Sequence, residues 1–248
     1  MSVFLSRLVL DPRSRQVRSE LAHPYEMHRT LVRGFERHLS DSEISAREKC
    51  GMLFRVDPDE RNHRVVAYVQ SLLEPDWGYL EGLGGYLLES LGMPGATCKD
   101  VSEAHARLHD GQTLSFRLRA NPTKRLGKGA HATALKGKRI GLVREEDQIS
   151  WLERKGGDGG FALLRSGSDD SAGDSRGAFA VTVRTEGKHV GRKRNDGQSH
   201  TMTHLSVVFD GLLRITDAST FRRTLIHGIG SAKAYGFGLL SIAPPRAP

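Results

Sequence analysis

The chain has 248 residues, 38 % of them hydrophobic, enough for two compact units with cores of their own. Its apolar runs are a few residues long, far short of the roughly 18 that span a bilayer, and MSVFLSRLVLDPRSR lacks the apolar block of a secretory signal, so a cytoplasmic protein with no membrane partner is expected. Two cysteines, Cys50 and Cys98, are too few for a disulfide framework or a four-thiolate metal site, and a net charge of +8 favours a polyanionic partner.

VFLSRLVLD, residues 3–11, is apolar and rich in strand formers, and Asp11-Pro12 stops it. A helix is predicted from Pro24, where the missing amide hydrogen does no harm, with Met27, Leu31, Phe35 and Leu39 forming one buried stripe. GMLFRVD and RVVAYVQSLL read as paired strands around PDERNH, and residues 74–112 are irregular apart from a short amphipathic piece at 86–91. TLSFRLRANP, residues 113–122, alternates as a strand that closes the first half. The pattern then repeats. KRIGLV is a strand, EEDQISWLERK a helix with acids in its first turn, GFALLR a strand and SGSDDSAGDSRG a low-complexity turn. AFAVTVR and HLSVVFDGLLRIT are strands, ASTFRRTLIHGIG a helix stopped by glycine, and GFGLLSIA the last strand. This is an α+β chain of two ferredoxin-like halves in tandem, each an antiparallel sheet with helices on one face. The expected division is 1–125, a linker at 126–137, and 138–248.

The positive charge is concentrated. Between residues 111 and 144 there is no Asp or Glu, while Arg117, Arg119, Lys124, Arg125, Lys128, Lys136, Lys138, Arg139 and Arg144 are all cationic. A second cluster, GKHVGRKRNDG, carries Lys188, Arg192, Lys193 and Arg194 between glycines. Each run reads as a solvated face or as part of a phosphate-backbone track. GIGSAKAYGFGLL, residues 228–240, has four glycines around Lys233 and reads either as a tight helix-to-strand turn or as an anion cradle. It follows a helix and precedes a strand, the reverse of a dinucleotide fingerprint. His105/His109 and His200/His204 have metal-ligand spacing without supporting Cys or acidic residues, so no metal and no cofactor is expected.

HPYEMHR, residues 23–29, is open to two readings. As helix grammar, His23 caps and His28 packs. As chemistry, Tyr25 and His28 share one helix edge beside Arg29 and Arg33, which joins a proton-transfer pair to cations able to stabilise a charged phosphorane. Those are the parts needed for RNA cleavage by the neighbouring 2′-hydroxyl without a metal.

LVLDPRSRQVRSELAHPYEMHRTL, FRLRANPTKR, WLERKGGDGGF and GIGSAKAYGFGLLSIAP, in this order, resemble the CasE (Cse) family of CRISPR-associated endoribonucleases, the guide-RNA-processing subunit of type I-E Cascade. The resemblance covers nearly the whole chain. It implies tandem ferredoxin-like, RRM-related domains that cut precursor CRISPR RNA at repeat hairpins, and other Cascade subunits as partners. By resemblance His28 takes the place of the catalytic histidine, Tyr25 that of an assisting tyrosine, and Arg33 falls where a relative carries a lysine. Arg192, Lys193 and Arg194 look like the hairpin that family members insert against the RNA stem. Arg29, Arg117, Arg119, Lys124, Arg125 and Lys233 complete the expected RNA contacts. The rival expectation is a non-catalytic RNA-binding subunit with the same fold, and a third is an enzyme holding a small phosphorylated ligand at 228–240.

Overall fold

The structure, a computed structural model, describes residues 2–38, 49–62, 64–88, 93–125, 139–166, 177–195 and 198–245. Two antiparallel sheets organise it. In the first, β1 (Phe4–Leu10), β2 (Leu53–Asp59), β3 (Arg64–Ser71) and β4 (Ala96–Asp100) lie in the order β2-β3-β1-β4, the ferredoxin-like arrangement. Among the described residues, α1 (Arg15–Ala22) and α2 (Pro24–Val32) follow β1, and a 3-10 turn at Arg33–His38 continues α2. His23 makes the corner between the helices. Its amide closes α1 by donating to the Ser19 and Glu20 carbonyls, and Pro24 then opens α2. The expected stripe packs as predicted, since Met27, Leu31 and Phe35 are buried against Leu8, Leu10, Phe54 and Val69; Leu39 lies outside the described residues.

α1 is absent from the sequence reading for a physical reason. Its only buried residues are Val17 and Glu20, so it carries no apolar stripe to read.

The second sheet has the order β11-β5-β10-β8, built from β5 (Thr113–Ala120), β8 (Phe161–Leu163), β10 (Gln198–Ile215) and β11 (Leu240–Ala243). β9 (Val181–Asn195) pairs with β10 along the edge that β8 begins. A small hairpin of β6 (Thr123–Arg125) and β7 (Arg139–Gly141) leads into α4 (Glu145–Gly159), and α5 (Ala218–His227) precedes β11; the short α3 (Ser102–Ala106) lies between β4 and β5. Asp217 caps α5 by accepting from the Thr220 amide at 2.9 Å. Trp151, Leu152, Phe221 and Leu225 of the two helices fill the core with Phe116, Leu118, Phe209 and Phe161 of the strands.

This corrects one expectation. Strand 113–122 does not close the first sheet: β5 pairs with β10 and β11, because Leu114, Phe116, Leu118 and Ala120 all point into the core of the second half. The fourth strand of the first sheet is β4, none of whose residues is buried, which leaves no hydrophobic alternation to detect. The chain thus passes from one sheet to the other before the expected boundary at 125, and the expected linker 126–137 and most of the low-complexity turn lie outside the described residues.

The halves meet across buried polar links. Arg55 on β2, 3 % exposed, donates to Ser241 Oγ at 2.8 Å and pairs with Asp57 at 2.9 Å, while Gln70 on β3 donates to the Leu225 carbonyl at 2.7 Å. No described helix is long and apolar enough to cross a membrane.

Candidate nucleic-acid cleavage site

α2 lies at the seam between the halves and presents Tyr25 and His28 together. Their rings stack with centroids 5.8 Å apart and planes within 8°, the consequence of a three-residue spacing on one helix edge. Phe54 of β2 backs His28 at 6.3 Å. Beside the pair opens a cleft of about 1070 Å³ that Tyr25, His28, Arg29 and Arg33 line together. Arg29 is 3.0 Å from Glu26, and Arg33 is 3.6 Å from Glu36 with its guanidinium over the Tyr79 ring at 4.8 Å. These ion pairs are solvent-exposed and worth about 0.2–1 kcal/mol each, weak enough for a phosphate to displace them.

A second layer holds α2 from behind. The Glu20 carboxylate, 4 % exposed, accepts from Thr30 Oγ1 and the Tyr86 hydroxyl at 2.6 Å each and from Gln16 Nε2 at 2.8 Å. Burial and the neighbouring Glu20 push the Tyr86 phenol far above its ordinary range, so it stays protonated and donates. The Tyr79 hydroxyl donates to the Thr30 carbonyl. Thr30 stands two residues from His28, so this network fixes the helix that carries the pair.

The second half contributes through the glycine-rich run. Its 3-10 turn, Lys233–Tyr235, packs on α2 and places Tyr235 5.7 Å from Tyr25. Gly236 has φ 81°, and a Cβ there would stand 3.2 Å from the Phe54 ring, so glycine is what allows the close approach. The Gly238 amide donates to the Arg119 carbonyl and the Ile229 amide to the Gly238 carbonyl, the bonding of a compact helix-to-strand turn.

Behind Tyr235 sits a set of rings that sequence reasoning did not assemble. His204 lies 4.7 Å from Tyr235 and 6.1 Å from Phe237, and His189 lies 6.3 Å from Phe237. Asn121 Oδ1 accepts from the Leu205 amide at 3.1 Å, so its NH2 group faces His204 Nδ1 at 3.2 Å and donates to it. His204 therefore carries its proton on Nε2. Burial, and next the neighbouring His189, lowers the His204 pKa; burial, and next Arg119, lowers that of His189 against an opposing pull from Glu186. Burial and then Tyr25 raise that of Tyr235.

The other expected contacts lie elsewhere. Arg117 pairs with Asp210 at 2.6 Å and reaches Asp57 of the first sheet at 3.7 Å, and Asp210 raises its pKa. Arg119 pairs with Glu186 at 2.9 Å with its side chain 15 % exposed, facing a smaller cavity of about 220 Å³ shared with His189 and Tyr235. Lys124 and Arg125 stand exposed on β6. Arg192, Lys193 and Arg194 lie far along β9, where they pair in register with Thr201, His200 and Ser199; their side chains lie outside the description. The structure thus brings Tyr25, His28, Arg29 and Arg33 together and adds Tyr235, His204 and Asn121. Only the glycine-rich run around Tyr235 carried a sequence signal for these additions.

Tandem ferredoxin-like sheets with an imidazole and a phenol at their seam, over a cleft whose arginines are paired only by exposed carboxylates, are the form of a CRISPR-associated protein. The chain belongs to that family: the family model described as CRISPR associated protein matches residues 3–244. It is 37 % identical over 243 residues, 98 % of this chain and all of the relative, to the CRISPR-associated endoribonuclease Cse3 of Thermus thermophilus. It is 33 % identical over 171 residues, 64 % of this chain and 73 % of the relative, to the CRISPR system Cascade subunit CasE of Escherichia coli. Among solved structures it resembles the CRISPR endoribonuclease Cse3 bound to a 19-nucleotide RNA, with a TM-score of 0.75 and 35 % identity over 98 % of this chain and all of that one.

Proposed function

We propose that this chain is an endoribonuclease that cuts precursor CRISPR RNA at its repeat hairpins, without a metal ion, and releases mature guide RNA for assembly with other Cascade subunits. The observation that carries the reading is the stacked Tyr25–His28 pair on α2, open to a cleft lined by Arg29 and Arg33, in a chain that aligns end to end with an RNA-bound endoribonuclease.

The 2′-hydroxyl beside the scissile phosphate loses its proton and attacks phosphorus. The bond to the 5′-oxygen breaks, and that oxygen leaves with a proton. The product is a 2′,3′-cyclic phosphate and a free 5′-hydroxyl. His28 exchanges the critical proton, since an imidazole can both give and take one. Tyr25, held against His28 and Tyr235, orients the nucleophile, and Arg29 and Arg33 neutralise the charge that builds on the phosphorane oxygens. The stem is recognised by A-form shape and phosphate contacts, so affinity falls steeply with salt.

The test compares wild type with His28→Ala on the cognate repeat hairpin. The variant is expected to bind with unchanged affinity and to cut about 10²- to 10⁴-fold more slowly, the usual contribution of a positioned acid or base. Wild type that binds the hairpin without producing a cyclic phosphate would instead support a non-catalytic subunit.

A further inference from the structure

A cationic pocket lies beyond Tyr235 from the cleft beside His28. Of about 510 Å³, it is walled by Arg139, Lys188, Thr203, His204, Ser231 and Ala232, and among the described residues no carboxylate lines it. Arg139 and Lys188 are both exposed. Next to it, Arg139 on β7 stands directly opposite Arg125 on β6 in antiparallel register, both side chains exposed. Like charges facing each other across a strand pair are destabilising, and a shared anion relieves that repulsion. Ala232, in the opposite wall, has φ 64° and is the one non-glycine residue with a positive φ among the described residues.

Its position relative to the cleft is fixed by rings. Tyr235 touches Tyr25 at 5.7 Å on one side and His204, in the pocket wall, at 4.7 Å on the other. With Tyr25 5.8 Å from His28, the His28 and His204 rings are at most about 16 Å apart, no more than about five steps of a stacked strand at roughly 3.4 Å per nucleotide. The His204 ring is held in place by Asn121, so the wall is preformed.

We propose that this pocket is a second phosphate site, which holds a backbone phosphate of the bound RNA within about five nucleotides of the linkage cut beside His28, with Arg139 and Lys188 supplying the charge. The inference rests on the reading that the chain cuts hairpin RNA. It assigns to the strand leaving the cleft a path over Tyr235 to the foot of the β9–β10 hairpin.

The test is a coupling measurement. Affinity is measured for a repeat hairpin made uncleavable by a 2′-deoxy at the cut, with single uncharged methylphosphonates scanned across the linkages on either side, for wild type and for Arg139→Ala/Lys188→Ala. In wild type, one linkage within about five nucleotides of the cut should lose about tenfold in affinity when neutralised. The double variant should lose a similar factor on the unmodified hairpin and show no further loss at that linkage. Methylphosphonate penalties that are the same in variant and wild type at every linkage would overturn the second site. Wild type that fails to cut the all-ribose hairpin would overturn the proposed function and this extension with it, whereas cutting without coupling overturns the second site alone.

Discussion

In the proposed reaction Tyr25 and His28 divide the labour, one ring moving a proton and the other fixing the geometry. Because the Tyr25 ring stacks on His28 and touches Tyr235, Tyr25→Phe keeps the packing and loses only the hydroxyl. Its single-turnover cutting should fall by about fivefold, in line with one hydrogen bond of roughly 1 kcal/mol, with binding unchanged. The neighbouring histidines predict a pH dependence of stability. Burial lowers the pKa of His204, His189 and His105 below the ordinary value of 6.5, so in the window beneath that value the unfolded chain binds more protons than the folded one. The stabilisation is complete above about pH 6.5 and is lost as the pH falls toward the folded values. Melting temperature should therefore drop between pH 7 and pH 5, and His204→Gln should flatten that drop. The lowered carboxyls of Asp11 and Asp217 act only below about pH 4, outside this window.

At the scale of elements, α2 works because it is pinned on both sides, by the glycine-rich turn in front and by Glu20 behind. Glu20→Leu would strand the hydroxyls of Thr30 and Tyr86 in a dry environment, at a cost of about 1–3 kcal/mol for each unsatisfied group. Urea unfolding should report a loss of a few kcal/mol, and cutting should slow more than binding weakens because His28 rides on the same helix. The elements that could be read from sequence are those with a strong period. β5 alternates buried Leu114, Phe116, Leu118 and Ala120 with half-exposed residues, and α2 repeats Met27, Leu31 and Phe35. β4 and α1 carried no such pattern, one being an edge strand without a buried residue and the other burying a carboxylate. Tyr25, His28 and Arg29 on α2, and Arg33 in the 3-10 turn that continues it, were legible for the same reason, since one unbroken helical stretch carries them. Tyr235, His204 and Asn121 join them only where the two halves meet, across separations that no local pattern records.

The whole molecule depends on that seam. Arg55 satisfies oxygens of both halves at once, and removing one partner of a buried ion pair costs about 3–5 kcal/mol. Arg55→Leu should lower the denaturant midpoint accordingly and loosen the apposition of Tyr235 to Tyr25, with a fall in cutting that a Tyr25→Phe background makes smaller. The assignment of Arg117 and Arg119 as RNA contacts is the point at which tertiary structure most alters the picture, because in the folded chain both guanidiniums already face carboxylates at or beside this seam. Among the described residues Lys124, Arg125, Arg139 and Lys188 stand exposed, and Arg29 and Arg33 sit in exposed ion pairs that a phosphate can displace. The central claim is that a proton-transfer pair at the seam cuts RNA through its own 2′-hydroxyl. The most direct measurement is wild-type cleavage of the cognate repeat hairpin in excess EDTA, run beside the same hairpin with a single 2′-deoxy at the cut. Full activity on the first with a 2′,3′-cyclic phosphate product, and none on the second, is the predicted result; loss of activity on chelation, or cutting of the deoxy substrate, would contradict it.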